Sequence, residues 1–242
     1  MIAFRSLLFN IWFFGTLAIE LVLLFFLLPF PPLVMSRAVR GWSQVIQFGM
    51  RWILGLTYEI RGLENVPQGP VLIAAKHQSV WDTTIFHILF DEPAYVMKKE
   101  LMSIPLWGWY AKKCGSVPVD RSAGASALRT MLRGVAGALK AGRPVIIFPE
   151  GTRTAPGSKA PYHPGVAAIY TQTGVTVVPA ALNSGMFWGR HSFIKKPGHI
   201  ILEFLPPLPP KLDRRTFLAE LETRIETASM RLQAETMGKA GV

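Results

Sequence analysis

The segment from Ser6 to Leu28 places 23 residues in a row that include a single charged side chain, Glu20. As an α-helix it reaches roughly 35 Å at about 1.5 Å per residue, enough to cross a hydrocarbon layer of about 30 Å. A cleaved signal peptide is the alternative, but its apolar stretch is shorter, about 7–15 residues, and ends at small residues. This segment ends at Pro31 and Pro32 instead. We therefore predict a membrane-associated N-terminus that stays on the chain.

Whether this segment spans the bilayer or re-enters is left open by the residues that follow it. Their apolar positions form one helical stripe with polar residues beside it, namely Met35, Val39, Trp42, Ile46, Gly49, Ile53 and Leu56. This pattern predicts an interfacial helix, and a core helix of the next domain is the alternative. Arg37, Arg40 and Arg51 follow the apolar segment, whereas only Arg5 precedes it. By the positive-inside rule we expect an inner-membrane protein whose main domain faces the cytoplasm.

Charge and composition point to the same surroundings. The chain has 26 Lys and Arg against 15 Asp and Glu, a net charge of +11, and half of its residues are hydrophobic. Because the basic residues are spread along the chain, a lipid surface is favoured over nucleic acid as the partner. Cys114 is the only cysteine, which excludes an intramolecular disulfide and a multi-cysteine metal site.

Short apolar runs alternate with amphipathic segments after Tyr58, the pattern of a sheet with crossover helices. We predict an α/β fold with a mixed central sheet flanked by helices. The division is residues 1–56 as a membrane-embedded or interfacial segment, and 57–242 as the α/β domain with a C-terminal amphipathic helix. The predicted strands are Thr57–Ile60, Val71–Ala75, Ala94–Met97, Ser116–Val119, Val145–Phe148, Thr176–Ala181 and His199–Phe204.

His77 and Asp82 lie on either side of a predicted helix start, just after the strand Val71–Ala75. A carboxylate at this spacing can hold one ring nitrogen of the imidazole and leave the other to take a proton from an alcohol, so the pair predicts a general base. The alternative is a capping box in which Ser79 caps the helix and Asp82 returns the hydrogen bond. The residues alone leave both interpretations open.

A second group of polar residues follows the strand that ends at Phe148. Gly151 permits close backbone approach, Thr152 offers a hydroxyl and Arg153 offers a planar fork of donors suited to phosphate. A surface turn with a solvated arginine is the alternative. Because both groups follow strands of one α/β sheet, we predict a single site in which a base acts beside a phosphate anchor.

These residues resemble the glycerolipid acyltransferase family, the 1-acylglycerol-3-phosphate acyltransferases. The resemblance covers about residues 56–207 and rests on four blocks in the family's order. They are His77-x4-Asp82; Lys98-Lys99-Glu100-Leu101 with Val117-Pro118-Val119-Asp120-Arg121; Phe148-Pro149-Glu150-Gly151-Thr152-Arg153; and Val178-Pro179-Ala180.

The resemblance implies that His77 is the general base and Asp82 its orienting partner. It implies an acceptor-phosphate site formed by Arg121, Glu150, Gly151, Thr152 and Arg153, with Lys98 at its rim. The implied reaction moves a fatty acyl group from a thioester of coenzyme A or acyl-carrier protein to the 2-hydroxyl of 1-acylglycerol 3-phosphate. It requires no metal and no prosthetic group.

Three alternatives stay open at this point. The acceptor could be glycerol 3-phosphate, a lyso-ornithine lipid or another lysophospholipid. Cys114 could form a covalent acyl intermediate, because Lys112 and Lys113 lie beside it, although nothing in the sequence places a base near it. A lipid-binding protein without catalysis is the remaining alternative, but such a protein would be expected to have lost His77 or Asp82.

Overall fold

The computed structural model describes residues 1–120 and 124–239, and its N-terminal part is a helical hairpin. Helix α1 spans Ile2–Leu27 and helix α2 spans Pro32–Gly49. Pro32 stands in the first turn of α2, where its missing N–H costs nothing. A π-helical turn, Met50–Leu54, extends α2 and ends at Gly55, whose φ of 69° favours glycine.

Helix α1 packs against the rest of the molecule along most of its length. Phe9 and Phe13 are buried and contact the Trp188 ring edge-on, and the Tyr110 hydroxyl donates to the carbonyl of Leu21 at 2.7 Å. The opposite face of α1 exposes large apolar side chains, including Phe4, Leu7, Leu8, Ile11, Phe14, Ile19, Val22, Leu23, Phe25 and Phe26. The helix is long and apolar enough to cross a membrane, and its outer face suits lipid better than water.

The rest of the described chain is an α/β domain built on one seven-stranded sheet. The strands are β1 Leu56–Arg61, β2 Leu72–Ala75, β3 Ala94–Lys98, β4 Val117–Val119, β5 Val145–Ile147, β6 Val177–Leu182 and β7 Gly198–Phe204. The remaining helices are α3 Trp81–Leu89, α4 Trp107–Lys113, α5 Gly124–Lys140, α6 Gly165–Thr173 and α7 Arg214–Lys239. The predicted fold class, a mixed central sheet flanked by helices, is confirmed.

The strand order is β1-β7-β6-β2-β5-β3-β4. Strands β6, β2, β5, β3 and β4 run parallel to one another, whereas β7 is antiparallel to β6 and parallel to β1. Every residue of β2 and β6 is buried, because apolar side chains cover both faces of the sheet. One face packs against α1, α2 and α3, and the other packs against α5, α6 and α7.

The five parallel strands all end at one edge of the sheet, which we call the carboxyl edge. The segments that leave it begin at Lys76 after β2, at Phe148 after β5 and at Asn183 after β6. Ligands of open α/β sheets bind beyond this edge, where loops diverge. The topology therefore brings together both predicted groups of polar residues and adds a third loop.

The sequence pattern predicts a helix over Ile104–Lys113, and its predicted start was wrong. Helix α4 begins only at Trp107, because Leu106 has a φ of 63° and a ψ of −62°, which lie outside the α-helical region. Helix α1 begins at Ile2, four residues before the apolar segment that starts at Ser6.

Candidate active site

The loop after β2 places His77 and Asp82 in direct contact. His77 Nδ1 lies 3.0 Å from Asp82 Oδ2, and Asp82 is in the first turn of α3. The Asp82 side chain is fully buried, whereas the imidazole keeps 12% of its surface exposed. With Nδ1–H donating to the carboxylate, Nε2 is the nitrogen left as a proton acceptor, the arrangement that general base catalysis requires.

Asp82 also organises the backbone of its own loop. Its Oδ2 accepts from the N–H groups of Gln78 at 2.6 Å and Ser79 at 2.8 Å, while the Ser79 hydroxyl accepts from Trp81 N at 3.2 Å. The capping bonds and the imidazole contact therefore coexist on one carboxylate. Its Oδ1 accepts from the Ser184 hydroxyl at 2.5 Å. Four donors bond to this carboxylate, and together they fix its orientation relative to the His77 imidazole.

Glu150, from the loop after β5, points into the protein. Its Oε1 accepts from Lys76 Nζ at 2.6 Å and from the Thr154 hydroxyl at 2.7 Å, and its Oε2 accepts from the backbone N–H of His77 at 2.9 Å. Lys76 is 1% exposed and also donates to Glu226 of α7 at 2.7 Å. Both oxygens of Glu150 are thus used within the protein, and their hydrogen bonds join the loop after β2 to the loop after β5.

Further contacts join the same two loops. The Phe148 ring stacks on the His77 imidazole with ring centroids 4.0 Å apart, and Thr154 N donates to the carbonyl of His77 at 2.8 Å. Gly151 adopts a φ of 64° and its N–H donates to Phe148 O at 2.9 Å, which closes a tight turn. This turn determines the backbone direction at Thr152, the next residue of the loop.

Arg153 follows this turn and is partly buried. Burial lowers the pKa of its guanidinium from the usual value, the charge of Asp82 raises it, and the charge of Arg190 lowers it again. An arginine remains a cation in any of these settings. Among the described residues its side chain makes no hydrogen bond and no ion pair, so a partly buried cation stands within electrostatic range of the His77–Asp82 pair.

Comparison with known proteins bears on this arrangement. The sequence model of the family described as Acyltransferase matches residues 57–183, which contain both loops. The 1-acyl-sn-glycerol-3-phosphate acyltransferase of Pseudomonas aeruginosa is 32% identical over 235 residues, which cover 96% of this chain and 91% of that protein. The chain belongs to the acyltransferase family. The lyso-ornithine lipid O-acyltransferase of the same species is 28% identical over 219 residues, covering 83% of this chain and 81% of that protein.

A solved structure gives the corresponding fold. The crystal structure of the 1-acyl-sn-glycerophosphate (LPA) acyltransferase PlsC from Thermotoga maritima matches this acyltransferase with a TM-score of 0.74 and 23% identity. The match covers 97% of this chain and 98% of that one. At this identity the likeness shows the fold, including the N-terminal helices.

Of the remaining predicted site residues of the acyltransferase, Lys98 lies at the carboxyl edge of the sheet. Lys98 ends β3 and is exposed, beside Val119 in the register with β4. Arg121 lies outside the described residues.

Several side chains of the acyltransferase site were not foreseen from the sequence. Lys76 forms buried ion pairs with Glu150 and Glu226. Ser184 donates to Asp82, and Arg190 donates to the main chain of Arg153. Lys76 had one visible signal, since a lysine that ends a fully apolar strand must be paired. Glu226, Ser184 and Arg190 had none, because each is remote in sequence from the residue that it contacts.

Cys114 lies away from the carboxyl edge, among Leu24, Met35 and Tyr110 beneath the helical hairpin. Burial is the main cause that raises the pKa of its thiol. A buried neutral thiol is a poor nucleophile, so the structure weakens the covalent alternative. Within residues 1–120 and 124–239, no three His, Cys, Asp or Glu side chains are grouped closely enough to hold a metal ion.

Proposed function

We propose that this acyltransferase transfers a fatty acyl group from a thioester carrier to the 2-hydroxyl of 1-acyl-sn-glycerol 3-phosphate, giving phosphatidic acid. The observation that carries the proposal is the His77–Asp82 contact of 3.0 Å within electrostatic range of the partly buried Arg153, whose guanidinium has no ion-pair partner among residues 1–120 and 124–239. The relative with this printed activity spans 96% of the chain, which supports the same acceptor. A lyso-ornithine lipid remains a second candidate acceptor because of the other Pseudomonas relative.

The proposed chemistry is direct transfer with His77 as general base. Its Nε2 takes the proton of the acceptor hydroxyl while the oxygen attacks the thioester carbonyl. The tetrahedral intermediate collapses, the carbon–sulfur bond breaks, and the imidazolium returns its proton to the leaving thiolate. General base catalysis of this kind contributes about two to four powers of ten in rate. Asp82 keeps the imidazole oriented and stabilises its protonated form.

The phosphate anchor is centred on Arg153. We propose that its guanidinium binds the acceptor phosphate together with Thr152 and the backbone of Gly151, with Lys98 at the rim. Arg121, which lies outside the described residues, stays a predicted member of the same site. Glu150 was assigned to the same group, but a carboxylate that accepts three hydrogen bonds from the protein is poorly placed for an anion. We propose instead that Glu150 positions the His77 loop.

The helical hairpin accounts for how a lipid acceptor is reached. Helix α1 touches the domain at Phe9 and again at Leu21, positions about 18 Å apart along a helix. With the domain beside that stretch, α1 cannot cross a bilayer unless the domain is immersed too. We propose that the apolar face of α1 and α2 dips into one leaflet and holds the carboxyl edge near the lipid interface.

We also propose the cytoplasmic face of the inner membrane as the location, with residues 1–56 as the membrane segment and 57–242 as the catalytic domain. The cations Arg37, Arg40 and Arg51 that follow α1 support this location, because the anionic lipids of a cytoplasmic leaflet attract basic residues at its surface. Acyl-coenzyme A and acyl-carrier protein are the two proposed donors.

The test is an assay of the purified full chain with labelled acyl thioester and a panel of lysolipids. We expect transfer to 1-acylglycerol 3-phosphate, with the product acylated at the 2-position, and loss of transfer in His77→Ala. His199→Ala is the matched control, because His199 also lies beside an acid, Glu59 at 3.3 Å, but on an exposed surface. An active, folded His77→Ala variant would remove the base, and transfer only to lyso-ornithine lipid would replace the acceptor.

A further inference from the structure

A third loop reaches the phosphate anchor from the far side of the site. Residues 184–197, between β6 and β7, form what we call the 184–197 loop. Arg190 in this loop donates from its guanidinium to the main-chain carbonyl of Arg153 at 3.4 Å. The two cationic side chains are also close enough for the charge of Arg190 to lower the pKa of Arg153.

Neither of these two arginines has an acidic partner in the part of the chain that the structure describes. Asp82 is close enough to Arg153 to interact with it electrostatically. The oxygens of Asp82, however, already accept hydrogen bonds from His77, two backbone N–H groups and Ser184. Among the described residues, four other arginines each form an ion pair with an acid, namely Arg40, Arg61, Arg224 and Arg231. Two cations held side by side repel each other unless an anion lies between them.

The 184–197 loop is held at both ends, so the position of Arg190 does not depend on its own contact. At the start, Gly185 N donates to the Gln78 side chain at 3.0 Å, which attaches the loop to the His77 segment. At the end, Lys195 Nζ donates to Asn10 Oδ1 of α1 at 2.6 Å, and Lys195 N donates to the Ser6 hydroxyl at 3.0 Å.

An aromatic contact strengthens the second attachment. Trp188, between the two ends, is buried edge-on against Phe9 and Phe13 of α1. Such pairs add to the stability gained from burial alone. The membrane helix and the catalytic loop therefore fix the segment from which Arg190 extends.

We propose that Arg190 and Arg153 form a two-guanidinium site for the phosphomonoester of the acceptor, and that Arg190 determines selectivity for this head group. The inference rests on the proposed acyl transfer to a lysophospholipid. A phosphomonoester carries close to two negative charges at neutral pH and three terminal oxygens, enough for a forked contact to each guanidinium. A phosphodiester head group carries one charge and two such oxygens, and a lyso-ornithine lipid carries no phosphate.

The kinetic test compares Arg190→Gln and Arg190→Lys with the wild-type chain in mixed micelles. The acceptors are 1-acylglycerol 3-phosphate, lysophosphatidylglycerol and lyso-ornithine lipid. Loss of one exposed charged hydrogen-bonding group should raise the KM for the phosphomonoester about tenfold in Arg190→Gln, with kcat changed less than about threefold. The KM of Arg190→Lys should lie between those of wild type and Arg190→Gln, because an ammonium keeps the positive charge but lacks the two-pronged hydrogen bonding of a guanidinium.

Lys196→Gln is the matched control, since it removes one exposed positive charge from the same loop. It should leave the KM values for all three acceptors unchanged. For lysophosphatidylglycerol and lyso-ornithine lipid, Arg190→Gln should change KM by less than about twofold, because neither head group carries a doubly charged phosphate. An equal rise for all three acceptors, or no rise for the phosphomonoester, would overturn the proposal.

A binding arm separates this inference from the proposed reaction. The ligand is a 2-deoxy analogue of 1-acylglycerol 3-phosphate, which keeps the phosphomonoester and lacks the hydroxyl that accepts the acyl group. Its Kd should rise about tenfold in Arg190→Gln. If the Kd differs about tenfold between wild type and Arg190→Gln while the wild type does not acylate the natural lipid, the proposed reaction is wrong and the two-arginine site is supported. If Kd is the same in both proteins, the arginine pair fails whatever the reaction.

Discussion

Replacing Glu150 by glutamine tests whether this residue positions the base or contacts the acceptor. Glu150 accepts at both oxygens: Oε1 from Lys76 and Thr154, and Oε2 from the backbone N–H of His77 at 2.9 Å. A glutamine has one acceptor oxygen and one amide donor in nearly the same shape. Whichever way the amide turns, its NH2 group faces a donor that the carboxylate had satisfied.

The magnitude follows from the burial of that site. A buried donor left without an acceptor costs about 1–3 kcal/mol, and Lys76 keeps Glu226 as its second anion. We therefore expect the free energy of unfolding to fall by about that amount, with the protein still folded. If the amide repels the N–H of His77, the imidazole moves, and a displacement of about 1 Å at a reacting group costs about a hundredfold in rate.

Glu226→Gln is the matched control. Its carboxylate accepts from the same Lys76 at 2.7 Å and from the Tyr162 hydroxyl at 3.1 Å, both through Oε1, whereas the bond to the backbone N–H of His77 comes from Glu150. A glutamine can keep its oxygen at that position. We expect kcat within about threefold of wild type and a stability loss of about 1 kcal/mol or less.

The assay is steady-state kinetics with the acceptor varied at saturating thioester, together with urea unfolding of each variant in the same detergent. Glu150→Gln should lower kcat about a hundredfold and leave the acceptor KM unchanged. A variant that keeps kcat and raises only the acceptor KM would refute this reasoning. It would return Glu150 to the acceptor-phosphate site that the family resemblance implied.

Two further predictions concern Ser184 and Cys114. Ser184→Ala removes the hydroxyl that donates to Asp82 Oδ1, so kcat should fall about tenfold with both KM values unchanged in steady-state assays; a rise in KM alone would contradict a positioning role. Cys114→Ser should keep its transfer activity within about twofold, and thiol reagents should not inactivate the folded wild-type protein, because the thiol is buried and its pKa is raised. Loss of activity in this variant would revive the covalent route.

The fold was largely predictable because its signals are local. All seven strands were located within one or two residues, since each is a short apolar run between turn residues. The internal strands β2 and β6 were the easiest, because burial on both faces leaves no polar position to confuse the pattern. The late start of α4 was not predictable, because leucine rarely adopts a positive φ and nothing in the residue type marks position 106 as one that does.

The candidate site was predictable only where its contacts are close in the chain. His77 and Asp82 lie five positions apart, and the distance between them follows from a loop that enters a helix. The direction of Glu150 depends on Lys76, 74 positions away, and on the packing of α7, which the sequence predicted only as a C-terminal amphipathic helix. A glutamate next to a phosphate-binding pattern gives no sign of whether it points outward or inward.

The loop between β6 and β7 links membrane attachment to the chemistry. Its first residue, Ser184, bonds to the carboxylate that orients His77, and Arg190 reaches the loop of Arg153. Its last residues are held by Ser6 and Asn10 of α1. The same short segment therefore contacts Asp82, the loop of Arg153 and helix α1. In the proposed site, this would fix the depths at which the hydroxyl and the phosphate of a bilayer lipid bind relative to α1. A helix that served only as a tether would need no contact with this loop, so these polar bonds favour a role for α1 in setting the height of the site above the bilayer.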